Sequence, residues 1–233
     1  GEHGAPPLRG SPFTFLLQAL NLDAMSFTTP VALIFLLVLN GCTRNVPLRH
    51  EFEFQNIPDT KVDKQLLVVM DKAQAEKVII HNPGAMSDNF RYEAGPAFRD
   101  SLMNLMQARF EKVDFAHEMQ AGGPHYDYYL LSDFKDYKID LGTALWSNKK
   151  FNVYIDYAFL DADRNPLFNT QTDGDNINRY SGGDMATAIN PFVFIGTGKA
   201  ENMLGDGWDG AVANSLNEFY FDLETYLDKN GVK

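Results

Sequence analysis

Nine consecutive apolar residues, Val31 to Leu39, are followed three positions later by Cys42, the only cysteine in the chain. A run of nine is far short of the ~20 residues that a helix needs to cross a bilayer, so it does not read as a membrane span. With a single sulfur, neither a disulfide framework nor a cysteine-rich metal site can form within one chain, and an apolar core has to hold the fold. Material for that core is ample: 45% of the 233 residues are hydrophobic and 13% aromatic, enough for one or two packed domains. Twenty Lys and Arg against 31 Asp and Glu give a formal charge of -11. That is the wrong sign for gripping a phosphate backbone, and nucleic acid is not an expected partner.

An apolar stretch of this length that ends in small residues has the form of a secretory signal followed by a processing site. Leu39-Asn40-Gly41-Cys42 resembles the bacterial lipobox, with Leu39 three residues before the cysteine and the small Gly41 just before it. The resemblance implies that Cys42 is diacylated through its sulfur, becomes the first residue after cleavage, and is acylated again on its new amine. Several acyl chains at ~0.8 kcal/mol per buried CH2 exceed what stable anchoring requires. Arg9 is the only Lys or Arg before the run, whereas a signal peptide ordinarily opens with positive charge. Residues 1–41 are read as a signal peptide with an upstream extension, the first 24 residues. Thr43 follows the cysteine, at the place where an Asp is the familiar inner-membrane retention signal, so the resemblance points to the periplasmic face of the outer membrane. The alternative is a core strand or helix over Val31 to Leu39, with Cys42 an ordinary buried small residue.

Beyond Cys42, residues 42–64 read as a lipidated terminus and tether, interrupted by Pro47 and Pro58. Within it, the alternation of Glu51-Phe52-Glu53-Phe54 suits a short strand. Leu66 to Met70 is a continuous apolar run, as expected of a strand covered on both faces, and Val78-Ile79-Ile80 is a second such run, ended by Asn82-Pro83-Gly84. Phe98, Leu102, Leu105, Met106 and Phe110 recur at helical spacing and predict an amphipathic helix, with Pro96 near its start. Val113 and Phe115 suggest a strand leaving it. Residues 126–141 and 150–160 carry period-two alternation, clearest in Phe151, Val153, Ile155, Tyr157 and Phe159. Asp161 to Pro166 is turn chemistry, and 167–172 returns as the partner strand. Residues 173–207, rich in Gly, read as an irregular insertion, and Val212, Leu216, Phe219, Leu223 and Leu227 mark a helix from about Trp208 to Lys229. The expectation is one α+β domain over 65–233, a mostly antiparallel sheet with two amphipathic helices packed on one face.

Motifs that would carry chemistry are incomplete. Asp161, Asp163 and Asn165 match the first ligands of a calcium loop, but Pro166 stands where Gly is required and Thr172 where a bidentate Glu is required. Gly196-Thr197-Gly198-Lys199 invites comparison with a phosphate loop, yet Val193 replaces the leading Gly and Ala200 the hydroxyl residue. His117, Glu118, His125 and Asp127 are the one local cluster of metal-capable side chains, and Gly122-Gly123-Pro124 forbids a common helix for the two histidines. Ser181 has no recognisable activating His. Asp173, Asp175, Asp184, Asp206 and Asp209 offer candidate carboxylate pairs, with Tyr180 and Trp208 as aromatics for stacking a sugar. None of these is strong enough to carry an expected catalytic residue, metal or cofactor. Phe192, Val193, Phe194 and Ile195, an apolar patch in a polar segment, are either loop-closing core or a contact surface.

Lipobox, tether, strand, amphipathic helix running into a strand, a long hairpin and a closing helix together resemble the small periplasm-facing lipoproteins of the YajG-like type. More loosely, they resemble the auxiliary lipoproteins of envelope transport systems. The resemblance spans approximately Met25 to Lys233, and its one specific motif is Leu39 to Cys42. It implies a membrane partner through acyl chains on Cys42, an envelope protein partner, and a non-enzymatic role in assembly, transport or integrity. Two other functions remain open: a glycan- or lipid-binding module, and a wall-polymer hydrolase working through the loop carboxylates.

Overall fold

In a computed structural model, residues 43–52, 54, 57–82, 89–120, 122–141, 148–178 and 199–232 are described. The chain runs β1 (Thr43–Val46), β2 (Val62–Val69), α1 (Lys72–Ala75), β3 (Ile79–His81), β4 (Asn89–Tyr92), α2 (Ala94–Arg109), β5 (Phe110–Ala116), β6 (Tyr128–Asp140), β7 (Lys149–Asp161), β8 (Pro166–Asn178) and α3 (Lys199–Lys229). Everything described belongs to one compact unit, Cys42–Lys233.

The three long strands set the architecture. In β7, Phe151, Val153, Ile155, Tyr157 and Phe159 are buried, while Asn152, Tyr154 and Asp156 between them are half-buried. This is the alternation that a sheet imposes when helices cover one face. β7 pairs antiparallel with β6 and β8, and β2 joins the other edge of β6 in parallel and carries β5, also parallel, beyond it. The order is β5-β2-β6-β7-β8. A second sheet, β1-β4-β3, pairs β1 with β4 in parallel and β4 with β3 antiparallel. Most paired residues lie in antiparallel ladders, and the fold is α+β as expected, with a small sheet added to the large one.

Both long helices press their apolar stripes into one core. α2 contributes Phe98, Leu102, Leu105 and Met106, and α3 contributes Leu204, Trp208, Val212, Leu216, Phe219, Leu223 and Leu227. Tyr157 stacks on Phe219 at 4.2 Å between ring centroids, and Trp208 stacks on Phe134 at 5.9 Å. At the sheet's opposite face, Leu67, Val69, Tyr126, Tyr129 and Leu160 form a smaller buried cluster. β2 is thereby covered on both sides, which is why its sequence is a continuous apolar run.

Three expectations are corrected. The segment 42–64 is not a leash: β1 lies within it, Val46 is 5% exposed, and β2 already begins at Val62. The Gly-rich segment is regular at both ends, because 173–178 finishes β8 and 199–207 begins α3; residues 179–198 lie outside the described residues. Its glycines mark close approach instead of a loop. A Cβ on Gly174 would meet the Ala211 carbonyl oxygen at 2.0 Å, and one on Gly207 would meet the Phe151 ring at 2.2 Å. Of Val78-Ile79-Ile80, only Ile79 is buried; Val78 and Ile80 are exposed, because successive side chains point to opposite faces and Ile79 is the one that joins the core.

Candidate functional site

Cys42 and Leu39, Asn40 and Gly41 lie outside the described residues, as do Phe192, Val193, Phe194 and Ile195. What the structure describes is the chain that follows Cys42 at once. Thr43 opens β1, and from there the backbone is pinned step by step along the first turns of α3. Arg44 Nη1 meets Glu201 Oε1 at 2.9 Å. The Pro47 carbonyl oxygen fits where a Cβ on Gly205 would stand, 2.2 Å away. The Arg49 backbone N–H donates to both carboxylate oxygens of Asp209, at 3.2 and 3.1 Å, and its guanidinium reaches Asp206 Oδ1 at 3.1 Å. Next, His50 Nδ1 lies 2.7 Å from Asp100 Oδ2 on α2, and Asn104 Nδ2 donates to the His50 carbonyl. Residues 201, 205 and 209 form an i, i+4 row on one helix face, with Asp206 beside it, so one strip of α3 receives the strap from Arg44 to Arg49 before His50 passes to α2.

Of the four named carboxylates that are described, Asp206 and Asp209 come together, both on Arg49. Asp209 is 5% exposed, and burial pushes its carboxyl up to about 7, opposed by the Arg49 N–H and charge. A raised carboxyl beside a second one is the electrostatic signature of an acid–base pair. Both groups are engaged by Arg49, however, and neither lines either of the two cavities described below. Asp173 and Asp175 are exposed on β8, and Asp184, Tyr180 and Ser181 lie outside the described residues. Trp208 is 1% exposed and stacked in the core, so it is no platform for a sugar.

The other candidate clusters resolve into structural contacts. Asp161 accepts from the Asn165 backbone N–H at 2.8 Å and its side chain at 3.1 Å, which holds its pKa below the usual value. With Arg164 at φ 67, this is an Asx-closed hairpin turn. Asp127 is held low by the Gln65 backbone N–H and by Lys64. His117 leans edge-on against Phe115 and lies 3.3 Å from the Met70 carbonyl. Among the described residues, no three His, Cys, Asp or Glu side chains converge as a metal site would require, and no helix is long and apolar enough to cross a membrane.

A groove of about 930 Å³ opens across the middle of the large sheet, lined among others by Val69, Leu131, Ala158, Asp71, Asp133 and Gln171. Its apolar floor comes from outward positions of β2, β6 and β7. Lys135 stands by it, 2.6 Å from Asp133 and 3.4 Å from Asp156. A smaller hollow of about 170 Å³ lies between Tyr126, Tyr129, Gly123 and Arg164. Sequence reasoning named none of the groove's acidic residues, because alternation along a strand identifies its faces but not which of them stays uncovered.

No family model matches the chain, and no curated protein matches it in sequence. Among solved structures, it is similar to a Xanthomonas campestris protein of the DUF330 family, with a TM-score of 0.52 and 11% identity over 83% of this chain and 100% of that one. That likeness establishes a shared fold. A minor lipoprotein from Acinetobacter baumannii covers 74% of this chain and 96% of its own at 10% identity and a TM-score of 0.36. An uncharacterized lipoprotein B from Nitrosomonas europaea covers 76% and 96% at 9% identity, also with a TM-score of 0.36.

Proposed function

We propose that the chain is a lipid-anchored protein of the bacterial envelope, held through acyl chains on Cys42 at the periplasmic face of the outer membrane. It acts there without catalysis, as an assembly, transport or integrity factor working through protein contacts. One observation carries the reading: the sole cysteine ends a Leu-Asn-Gly-Cys motif behind a nine-residue apolar run, and the first described strand opens at the next residue, Thr43. The engagement of Asp206 and Asp209 by Arg49 favours the non-catalytic role over the hydrolase reading. The order of elements supports the YajG-like type, and more loosely the transport-auxiliary lipoproteins, as the relatives to which the chain belongs.

Intact mass spectrometry of the protein extracted from bacterial membranes tests this. The expected mass corresponds to cleavage before Cys42 plus acyl chains, and it is lost in Cys42→Ala. An unmodified Cys42 still joined to Gly41 would overturn the anchor and the localisation together.

A second reading has its own observation, the groove of about 930 Å³ with an apolar floor. A volume of that size accommodates a glycan or lipid fragment. Binding of a wall fragment or short-chain lipid that Leu131→Asp abolishes would move the assignment from protein contacts to ligand capture.

A further inference from the structure

We infer that the anchored protein stands end-on against the bilayer, with the end that holds Thr43, the start of α3 and the close of β8 at the lipid headgroups and the 162–165 turn pointing away. This rests on the acylation of Cys42 and adds what that reading leaves open, the surface that meets the membrane. The acyl-bearing residue is joined directly to β1, which allows no leash between lipid and body. β1 is in turn fixed to the body by its ladder with β4, by Arg44 to Glu201, by Pro47 against Gly205 and by Arg49 to Asp209.

The pairings show which end this is. Arg44 lies at the third residue of α3, and α3 runs antiparallel to β8: Asn176 reaches the carbonyls of Asp206 and Gly207, Gly174 abuts Ala211 and Ser215, and Thr170 bonds Asp222. The start of α3 therefore lies with the close of β8 and, through the register Ile177 to Lys150, with the opening of β7. The opposite end of that ladder is the Asp161–Asn165 turn, roughly 40 Å away for strands of this length at ~3.3 Å per residue.

The surface at the anchored end suits a lipid headgroup layer. Ile80, 61% exposed, shares a register row with Arg91 and Asn45, one row from Arg44. Ile177, 44% exposed, stands opposite Lys150. Arg44 and Arg91 are held by Glu201 and Glu93, so the lipid-facing groups are the two exposed isoleucines, which enter the headgroup boundary, and the exposed Lys150, which meets phosphate. The far turn carries Asp161 and Asp163 and is rigid, closed by Asn165 and tied by Arg164 to the Gln120 carbonyl at 2.8 Å. A probe there reports the position of the body.

The chemistry of the chain supplies the test. With Cys42 acylated, a cysteine introduced elsewhere is the only free thiol. Full-length acylated protein carrying Lys150→Cys, Ile80→Cys or Asp163→Cys is labelled with a thiol-reactive fluorophore. It is then reconstituted in phosphatidylethanolamine–phosphatidylglycerol vesicles containing headgroup-nitroxide lipid. The expected result is quenching several-fold stronger at positions 150 and 80 than at 163. Insertion of a Gly-Ser linker of about twelve residues between Cys42 and Thr43, which restores a flexible leash, is expected to erase the contrast. Equal quenching at all three sites, stronger quenching at 163, or a contrast that survives the linker would overturn the orientation. The mass of the same preparation separates the two levels: an acylated protein without the contrast sinks the orientation alone, and an unacylated one sinks the anchor with it.

Discussion

Asp209 and Arg109 are charged residues placed where the sequence shows only helical periodicity, and each performs a different electrostatic task. Asp209 is buried at the strap and has its carboxyl raised to about 7, above the ~3.9 of an unfolded aspartate. The folded state therefore holds the proton more tightly, and stability falls as pH rises from about 4 through about 7, by on the order of 3–4 kcal/mol in all. Urea unfolding at pH 5 and pH 8 should show roughly two-thirds of this loss in the native chain and a much flatter profile in Asp209→Asn; identical profiles would refute the assignment. Arg109 is 5% exposed and holds Glu224 at 2.5 and 3.2 Å while donating to the Thr60 carbonyl at 2.9 Å. It ties α2, α3 and the approach to β2 at one point. Arg109→Ala strands a half-buried carboxylate, and a loss of about 3 kcal/mol is expected in equilibrium unfolding. A loss below about 1 kcal/mol would mean that water replaces the guanidinium.

At the scale of elements, the helix–sheet contact depends on missing side chains. Gly174 lets α3 approach β8 so closely that Ser215 and Thr172 hydroxyls bond directly. Gly205 and Gly207 do the same for the strap and for Phe151. Gly205 and Gly207 each cost the helix roughly 1 kcal/mol in propensity, which close packing offsets. Gly174→Ala should lower stability by about 2–3 kcal/mol through forced separation of the two elements, measured as a shift in the urea midpoint. An unchanged midpoint would show that the helix can move outward at little cost. These glycines also explain why the segment before Trp208 reads as a loop: composition does not distinguish a glycine chosen for backbone freedom from one chosen for space. α2 reads correctly, because Phe98, Leu102, Leu105 and Met106 have no such conflict. The first two turns of α3 do not read as helix, because their apolar face is built partly of glycine. The two Asp residues of the strap site were legible as acidic residues near a helix. Their partner Arg49 was not, since it is 160 positions away and in a segment whose prolines suggest a tether.

For the whole molecule, the core of the described residues spans Val46 to Leu227, so a form beginning at Thr43 should unfold within about 0.5 kcal/mol of the acylated protein in matched detergent. Removing 43–50 as well deletes β1, the buried Val46 and the Arg44 and Arg49 contacts. A loss on the order of 2–4 kcal/mol is expected; an unchanged midpoint would return the strap to the status of a tether.

Local order decided much of this protein in the sequence itself. The alternation of β7 and the stripe of α2 are properties of neighbouring residues, and so is the lipobox-like run to Cys42. The α+β class follows from the first two because side-chain periodicity is dictated by backbone geometry alone. Tertiary structure decided which residues far apart along the chain meet. It folded 43–50 onto α3, made Trp208 a core residue, raised Asp209, and left Ile80 and Ile177 exposed at the same end. Those outcomes depend on burial and on contacts between distant segments, and burial is a property of the assembled layers, which no local pattern of residues encodes.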